Sequence, residues 1–167
     1  MRKIEKRGIF CLILAALLGL GLAFFCFQFV VDGGDWASYP YNRHLYNNEG
    51  QLKGGTILDR DGDVLSTLDE NSERVYYDNA DIRRATLHAV GDKTGNIGAG
   101  ALTAFADKLS GYNLLTGVYS PLGTGNSVYL TIDAYLNNIA YQALNGSSGT
   151  VGVYNYKTGE VLCMVST

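Results

Sequence analysis

Apolar and polar positions along the chain fall into three regimes. From Ile9 to Val31 the sequence reads IFCLILAALLGLGLAFFCFQFVV, with no charge and Gln28 as its one strongly polar side chain. As a helix these 23 residues would rise ~35 Å, enough for the ~30 Å hydrocarbon core of a bilayer. A helix that is apolar on every face does not fit the surface of a small soluble domain.

Beyond Asp32 the apolar runs shorten. Residues 32 to 53, rich in Gly, Asn and Tyr, predict an extended segment leaving the membrane. GTIL, DVLS and RVYYD, divided by turn residues, predict three short strands. In AGALTAFADKLS, residues 99 to 110, Leu102, Phe105, Ala106 and Leu109 share one helical face that Gly111 closes. Residues 111 to 127, punctuated by Gly and Pro, predict a loop or an irregular hairpin.

The third regime starts at residue 128. VYLTID predicts a strand that delivers Asp133 as the N-cap of a helix. Leu136, Ile139, Ala140, Ala143 and Leu144 form one stripe of that helix, and Asn145-Gly146 ends it. GTVGVYNYKTGEVLCMVS then predicts a hairpin turning near Asn155 to Gly159. One helix and one hairpin do not bury both faces of a sheet, so residues 128 to 167 are expected to open a larger domain. The chain is therefore expected to be an N-terminal fragment.

Charge orients the first segment. Arg2, Lys3, Lys6 and Arg7 precede it and Asp32 and Asp35 follow it, so the N-terminus is expected on the cytoplasmic side and the rest outside. A cleaved signal peptide would have a shorter apolar run and a small-x-small site, which FFCFQFVVDGGDW does not offer. An uncleaved signal anchor is the better reading. Four of the 13 basic and one of the 16 acidic residues precede Val31, leaving 9 basic and 15 acidic outside. That net charge of −6 excludes a nucleic-acid footprint. Cys11 and Cys26 lie inside the apolar run and Cys163 alone outside it, so no disulfide framework is expected.

The densest charge lies in GGTILDRDGDVLS, residues 54 to 66, which carries Asp59, Arg60, Asp61 and Asp63. Asp59, Asp61, Asp63 and Glu70 occupy positions 1, 3, 5 and 12 of a calcium loop, but Val64 stands where that loop needs Gly. Paired catalytic carboxylates need environments that push their pKa values apart, whereas charges on a turn all face water. The plain reading is a hairpin whose Gly62 takes a positive φ. His44 and His88 are isolated, with no metal-ligand spacing, and His88 is expected in a turn or in the core. Asn145-Gly146-Ser147 matches a glycosylation sequon, and its cap role takes precedence. No metal site and no cofactor site is expected.

Several of these stretches, in order, also resemble a known family. GGTILDRDGDVLS resembles the R-G-x-I-x-D-R-x-G-x-x-L-A segment of class B penicillin-binding proteins. YPYNRH upstream of it, and HAVGDKTGNIGAGALTAFADKLSGYN at 88 to 113, are similar to segments of the penicillin-binding protein A-like branch. NSVYLTIDAYLNNIAYQAL resembles the opening of that family's transpeptidase domain, and GTVGVYNYKTGEVLCMVST its first hairpin. Gly54 replaces the motif's Arg, with Lys53 beside it, so an ion pair from that Arg is not expected here. Ser66 stands for Ala and Asn137 for Gln.

The resemblance implies an α+β protein. Residues 1–8 would be a cytoplasmic tail, 9–31 the transmembrane anchor, 32–127 an irregular pedestal domain with β-hairpins, and 128–167 the start of a transpeptidase domain. It implies a peptidoglycan D,D-transpeptidase, single-pass in the cell membrane, acting on stem peptides and acylated by β-lactams, with no cofactor and a SEDS-type glycan polymerase as partner. Such enzymes acylate through Ser-x-x-Lys, completed by Ser-x-Asn and Lys-Thr-Gly. No Ser here has Lys three residues later, so no catalytic residue is assigned within the chain. Lys93-Thr94-Gly95 and Lys157-Thr158-Gly159 are expected to be accidental, one in a Gly-rich loop and one on a hairpin turn. The competing expectation is a complete, non-catalytic membrane-anchored scaffold protein. A third, an exported calcium module on Asp59 to Glu70, stands behind it.

Overall fold

The computed structural model describes residues 2–39, 42, 45–46, 52–92, 96–117 and 125–167. Helix α1, Arg2–Ala37, runs for 36 residues. It is long and apolar enough to cross a membrane, and its apolar window is wholly unburied. The helix continues six residues past Val31, where an extended segment is expected. Its last carbonyls find partners that stop it cleanly. Asn42 Nδ2 donates to Ala37 O at 2.8 Å and Tyr46 Oη donates to Ser38 O at 2.7 Å. Gly33 and Gly34 lie in this last stretch. A Cβ on Gly33 would stand 2.5 Å from Tyr112 Oη, and one on Gly34 3.3 Å from Asp107 Cβ. The two glycines thus let α1 rest directly against the folded part of the chain.

Three strands follow: β1 Thr56–Leu58, β2 Val64–Leu68 and β3 Arg74–Tyr76. They pair as an antiparallel meander, as the alternating runs predict. The sheet order is β3-β2-β1-β4. The fourth strand, β4 at Ser127–Tyr129, adds in parallel to β1, with Ile57 opposite Val128. It straddles position 127/128, so one sheet draws on both sides of the expected domain boundary.

Among the described residues between β3 and β4 lie three helices: α2 Ala80–Val90, α3 Ala101–Ala104 and α4 Ala106–Leu109. The single helix expected over 99 to 110 is broken at Phe105 (φ −117°, ψ 26°), whose ring is exposed. The two halves answer to different neighbours. Gly100, at the head of α3, lies so close to the end of α2 that a Cβ there would stand 2.5 Å from Gly91 Cα, while Leu109 packs against Gly55. One straight helix would not serve both contacts.

Helix α5, Ala134–Leu144, is capped as expected: Asp133 accepts from Leu136 N, and Asn145 ends it at φ 45°. Its buried face is different from the predicted stripe. Ala134, Asn137 and Ala140 are buried, while Ile139 is 64% exposed and Ala143 is also outside. The reason is that α5 packs against α2 and β6 (Val161–Ser166), and the close side takes small residues and one amide. Asn137 Nδ2 donates to Asp133 O at 2.7 Å, and its Oδ1 accepts from Met164 N at 3.1 Å. β6 pairs antiparallel with β5, Thr150–Tyr154, around the predicted turn.

Two buried clusters hold these layers. Ile57, Leu65, Val90 and Leu109 centre the first, which also takes Ile132 and Ala134. Ala85, Ala140, Cys163 and Val165 form the second. Helix α2 feeds both, through Ile82 and Val90 on one side and Ala85 on the other. Each large aliphatic side chain buried this way contributes roughly 1.5–3 kcal/mol.

Candidate functional site

The charged turn is not uniformly solvated. Gly62 takes φ 94°, as the hairpin requires, and Arg60 and Asp61 face water. Asp59, however, is 0% exposed, against the expectation that all four charges sit outside. Its Oδ1 accepts from Asp61 N and Asp63 N, each at 2.9 Å, which folds the turn. Its Oδ2 accepts from Ala134 N at 3.1 Å, the first residue of α5. A buried carboxylate is tolerated when every lone pair direction meets a donor, and a helix N-terminus supplies both donor and favourable dipole.

A second bond runs alongside: Arg60 N donates to Ile132 O at 3.0 Å. Farther along, Tyr135 on α5 bonds Tyr77 after β3, which pushes the Tyr77 hydroxyl up to about 12. Asp133 N donates in turn to Leu162 O at 2.9 Å. The turn, the helix and the hairpin are therefore joined by a short chain of hydrogen bonds that passes through Asp59, Asp133 and Asn137.

The opposite end of the sheet is organised by Arg74, which is 1% exposed. Its Nη1 donates to Gly55 O at 2.9 Å, and its Nη2 to Leu52 O at 2.9 Å and Gly54 O at 2.6 Å. Burial pulls the guanidinium down to about 10, so it remains charged at neutral pH. The segment in which Gly54 stands for the motif's Arg is thus held by an arginine from β3. Among the described residues the ion pairs are Arg84–Asp81 and Lys108–Asp107, so carbonyl dipoles rather than a carboxylate face Arg74. Neither Asp59 nor Arg74 is distinguished by spacing from its exposed neighbours, and sequence reasoning assigned no role to Arg74.

The remaining candidates separate cleanly. Asp59 and Glu70 lie on turns at opposite ends of β2, whose five residues span ~17 Å. With both Asp59 oxygens already engaged by N–H groups, that set does not converge on a cation. His88 is exposed in the last turn of α2, neither in a loop nor in the core. His44 and Lys93 to Gly95 lie outside the described residues. Lys157-Thr158-Gly159 forms the β5–β6 turn: Asn155 Oδ1 accepts from Lys157 N at 3.0 Å, Thr158 Oγ1 pairs with Glu160 at 3.1 Å, and Gly159 takes φ 79°. All three residues are exposed there.

Cys163 is fully buried on β6, and burial, with Asp133 nearby, pushes its thiol up. The thiolate is the reactive form. In a variant carrying Cys11→Ser and Cys26→Ser, a maleimide is expected to leave the native chain unmodified and to add once after unfolding in guanidinium. Adduct formation at the free-thiol rate under native conditions would contradict the burial.

The chain thus combines a membrane-length helix, a small mixed sheet and a helix–hairpin unit bonded to it, and its fold is similar to that of a penicillin-binding protein. Among solved structures, 22 chains are similar to this one. One is Pseudomonas aeruginosa PBP2, in complex with WCK 5153, with a TM-score of 0.52 and 25% sequence identity. The similarity covers 68% of this chain and 27% of that one, so the chain spans about a quarter of the protein it resembles. No family model and no curated protein matches the chain.

Proposed function

We propose that this chain is the membrane-proximal portion of a peptidoglycan D,D-transpeptidase of the class B, penicillin-binding protein A-like kind. The observation that carries the proposal is the likeness to a penicillin-binding protein over 68% of the chain. In this reading α1 is a single-pass anchor with its N-terminus in the cytoplasm, which the placement of Arg2, Lys3, Lys6 and Arg7 supports. The sheet and α2–α4 form the pedestal, and α5 with the β5–β6 hairpin begins the domain that receives stem peptides and β-lactams. A SEDS-type glycan polymerase is the partner that α1 and the pedestal would meet. What these residues supply is position, since the bonds through Asp59 and Asn137 fix how the pedestal holds that domain.

The test is to label membranes of the source cells with a fluorescent penicillin and to precipitate with antibody against residues 54 to 127. A labelled band far above 18.1 kDa is expected. An unlabelled band at 18.1 kDa would replace the proposal with an anchored scaffold.

A further inference from the structure

Among the described residues, the tight loop after α4 carries the most exposed leucine outside α1. Asn113 and Gly117 close it by exchanging two backbone hydrogen bonds, Asn113 N to Gly117 O at 2.8 Å and Gly117 N to Asn113 O at 2.7 Å. Asn113 Oδ1 also accepts from Leu115 N at 2.8 Å, so the tip is held in one shape. Turn tips ordinarily carry Gly, Asn, Asp or Ser. This one presents Leu114 at 45% and Leu115 at 93% exposure. Adjacent apolar side chains held out from a rigid turn are unfavourable in water and suit an apolar surface.

The position of the loop identifies that surface. Tyr112, the residue before it, lies against Gly33 and Gly34 of α1. Gly33 is two residues past Val31, ~3 Å of helix rise, which places it in the ~5–7 Å headgroup layer if residues 9 to 31 fill the hydrocarbon core. Leu115 is three residues from Tyr112, at most ~10 Å of chain. Trp36, exposed in the last turn of α1, and Tyr39, exposed just beyond that helix, have the character of interfacial anchors. We infer that Leu114 and Leu115 insert into the outer leaflet of the bilayer beside α1. The inference rests on the reading of α1 as a membrane anchor. It gives the external domain a second lipid contact, so that the domain lies against the membrane at a set angle and does not swivel on a stalk.

Tryptophan quenching separates this inference from the anchor reading. Full-length protein is reconstituted in phosphatidylcholine vesicles with and without acyl-chain-brominated lipid. In the natural chain Trp36, the one tryptophan, reports the anchor. A Trp36→Phe, Leu115→Trp variant reports the loop, and Trp36→Phe, Tyr156→Trp reports the distant hairpin turn. The expected result is that the indole at position 115 loses as large a fraction of its emission as Trp36 and shifts to the blue, while the indole at position 156 is unaffected. Quenching of Trp36 with none at position 115 would overturn the loop insertion and leave the anchor standing. That outcome also covers a loop reserved for a membrane-protein partner. No quenching at any of the three positions would overturn the anchor reading, and this inference with it.

Discussion

Replacing Arg74 with methionine is expected to lower the free energy of unfolding by ~3–5 kcal/mol. Three backbone carbonyls, of Leu52, Gly54 and Gly55, receive their donors from this one guanidinium at 2.6 to 2.9 Å. Methionine fills much of the volume and supplies no donor, so the carbonyls stay buried with fewer partners. Each such loss costs ~1–3 kcal/mol. The approach of the chain to β1 would loosen first, because those carbonyls flank the start of that strand. Lysine in the same place keeps the charge but not the planar fork that meets three acceptors at once, so Arg74→Lys should fall between the two. Urea unfolding of the full chain in detergent, followed by circular dichroism, measures both. If the methionine variant lies within ~1 kcal/mol of the natural chain, the buried arginine is not what holds residues 52 to 55.

Asp59 offers a finer cut. Asp59→Ala removes three acceptor contacts together and is expected to cost ~2–4 kcal/mol. Asp59→Asn distinguishes the two jobs of the carboxylate. The amide oxygen can still accept from Asp61 N and Asp63 N, where Oδ1 now does. Its NH2 would then face Ala134 N, donor against donor, where Oδ2 now accepts. The expected outcome is a hairpin that keeps its turn and a helix that loses its tether. Amide hydrogen exchange reads this directly, with Ala134 exchanging faster and Asp61 and Asp63 little changed. Equal acceleration at all three amides would mean that the turn and the tether are one unit.

Much of the architecture could be read from local spacing. The strands around Gly62, the Asp133 cap and the Asn145 stop each depend on residues within a few positions of one another, and they stand where the pattern puts them. Helix α2 does not reveal itself to a search for bulky apolar residues, because its buried face is Ile82, Ala85, Thr86, Ala89 and Val90. Small residues suffice there because the helix is pressed between two layers. Its punctuation is nonetheless present in the sequence, with Asn79 as N-cap and Gly91 at its end. The site was less legible. Asp59 and Asp61 are identical in type and two residues apart, and only the arrival of Ala134 from far along the chain decides which is buried. The break at Phe105 is a similar case, since two distant glycines, Gly91 and Gly55, impose it.

The bond between Asp59 and Ala134 joins residues 75 positions apart, and β4 reaches β1 over nearly the same distance. Closing a loop of that length costs roughly 4 kcal/mol in chain entropy, and little is returned until the last member arrives. For any chain made from its N-terminal end, the early hairpins emerge well before their partners. The sheet waits with β1 open on one side until Ser127 to Tyr129 follow, and the turn carboxylate waits for the head of α5. The folded part beyond α1 is therefore expected to mature late and all at once, and the interval before closure is when its exposed strand edge is most open to mispairing.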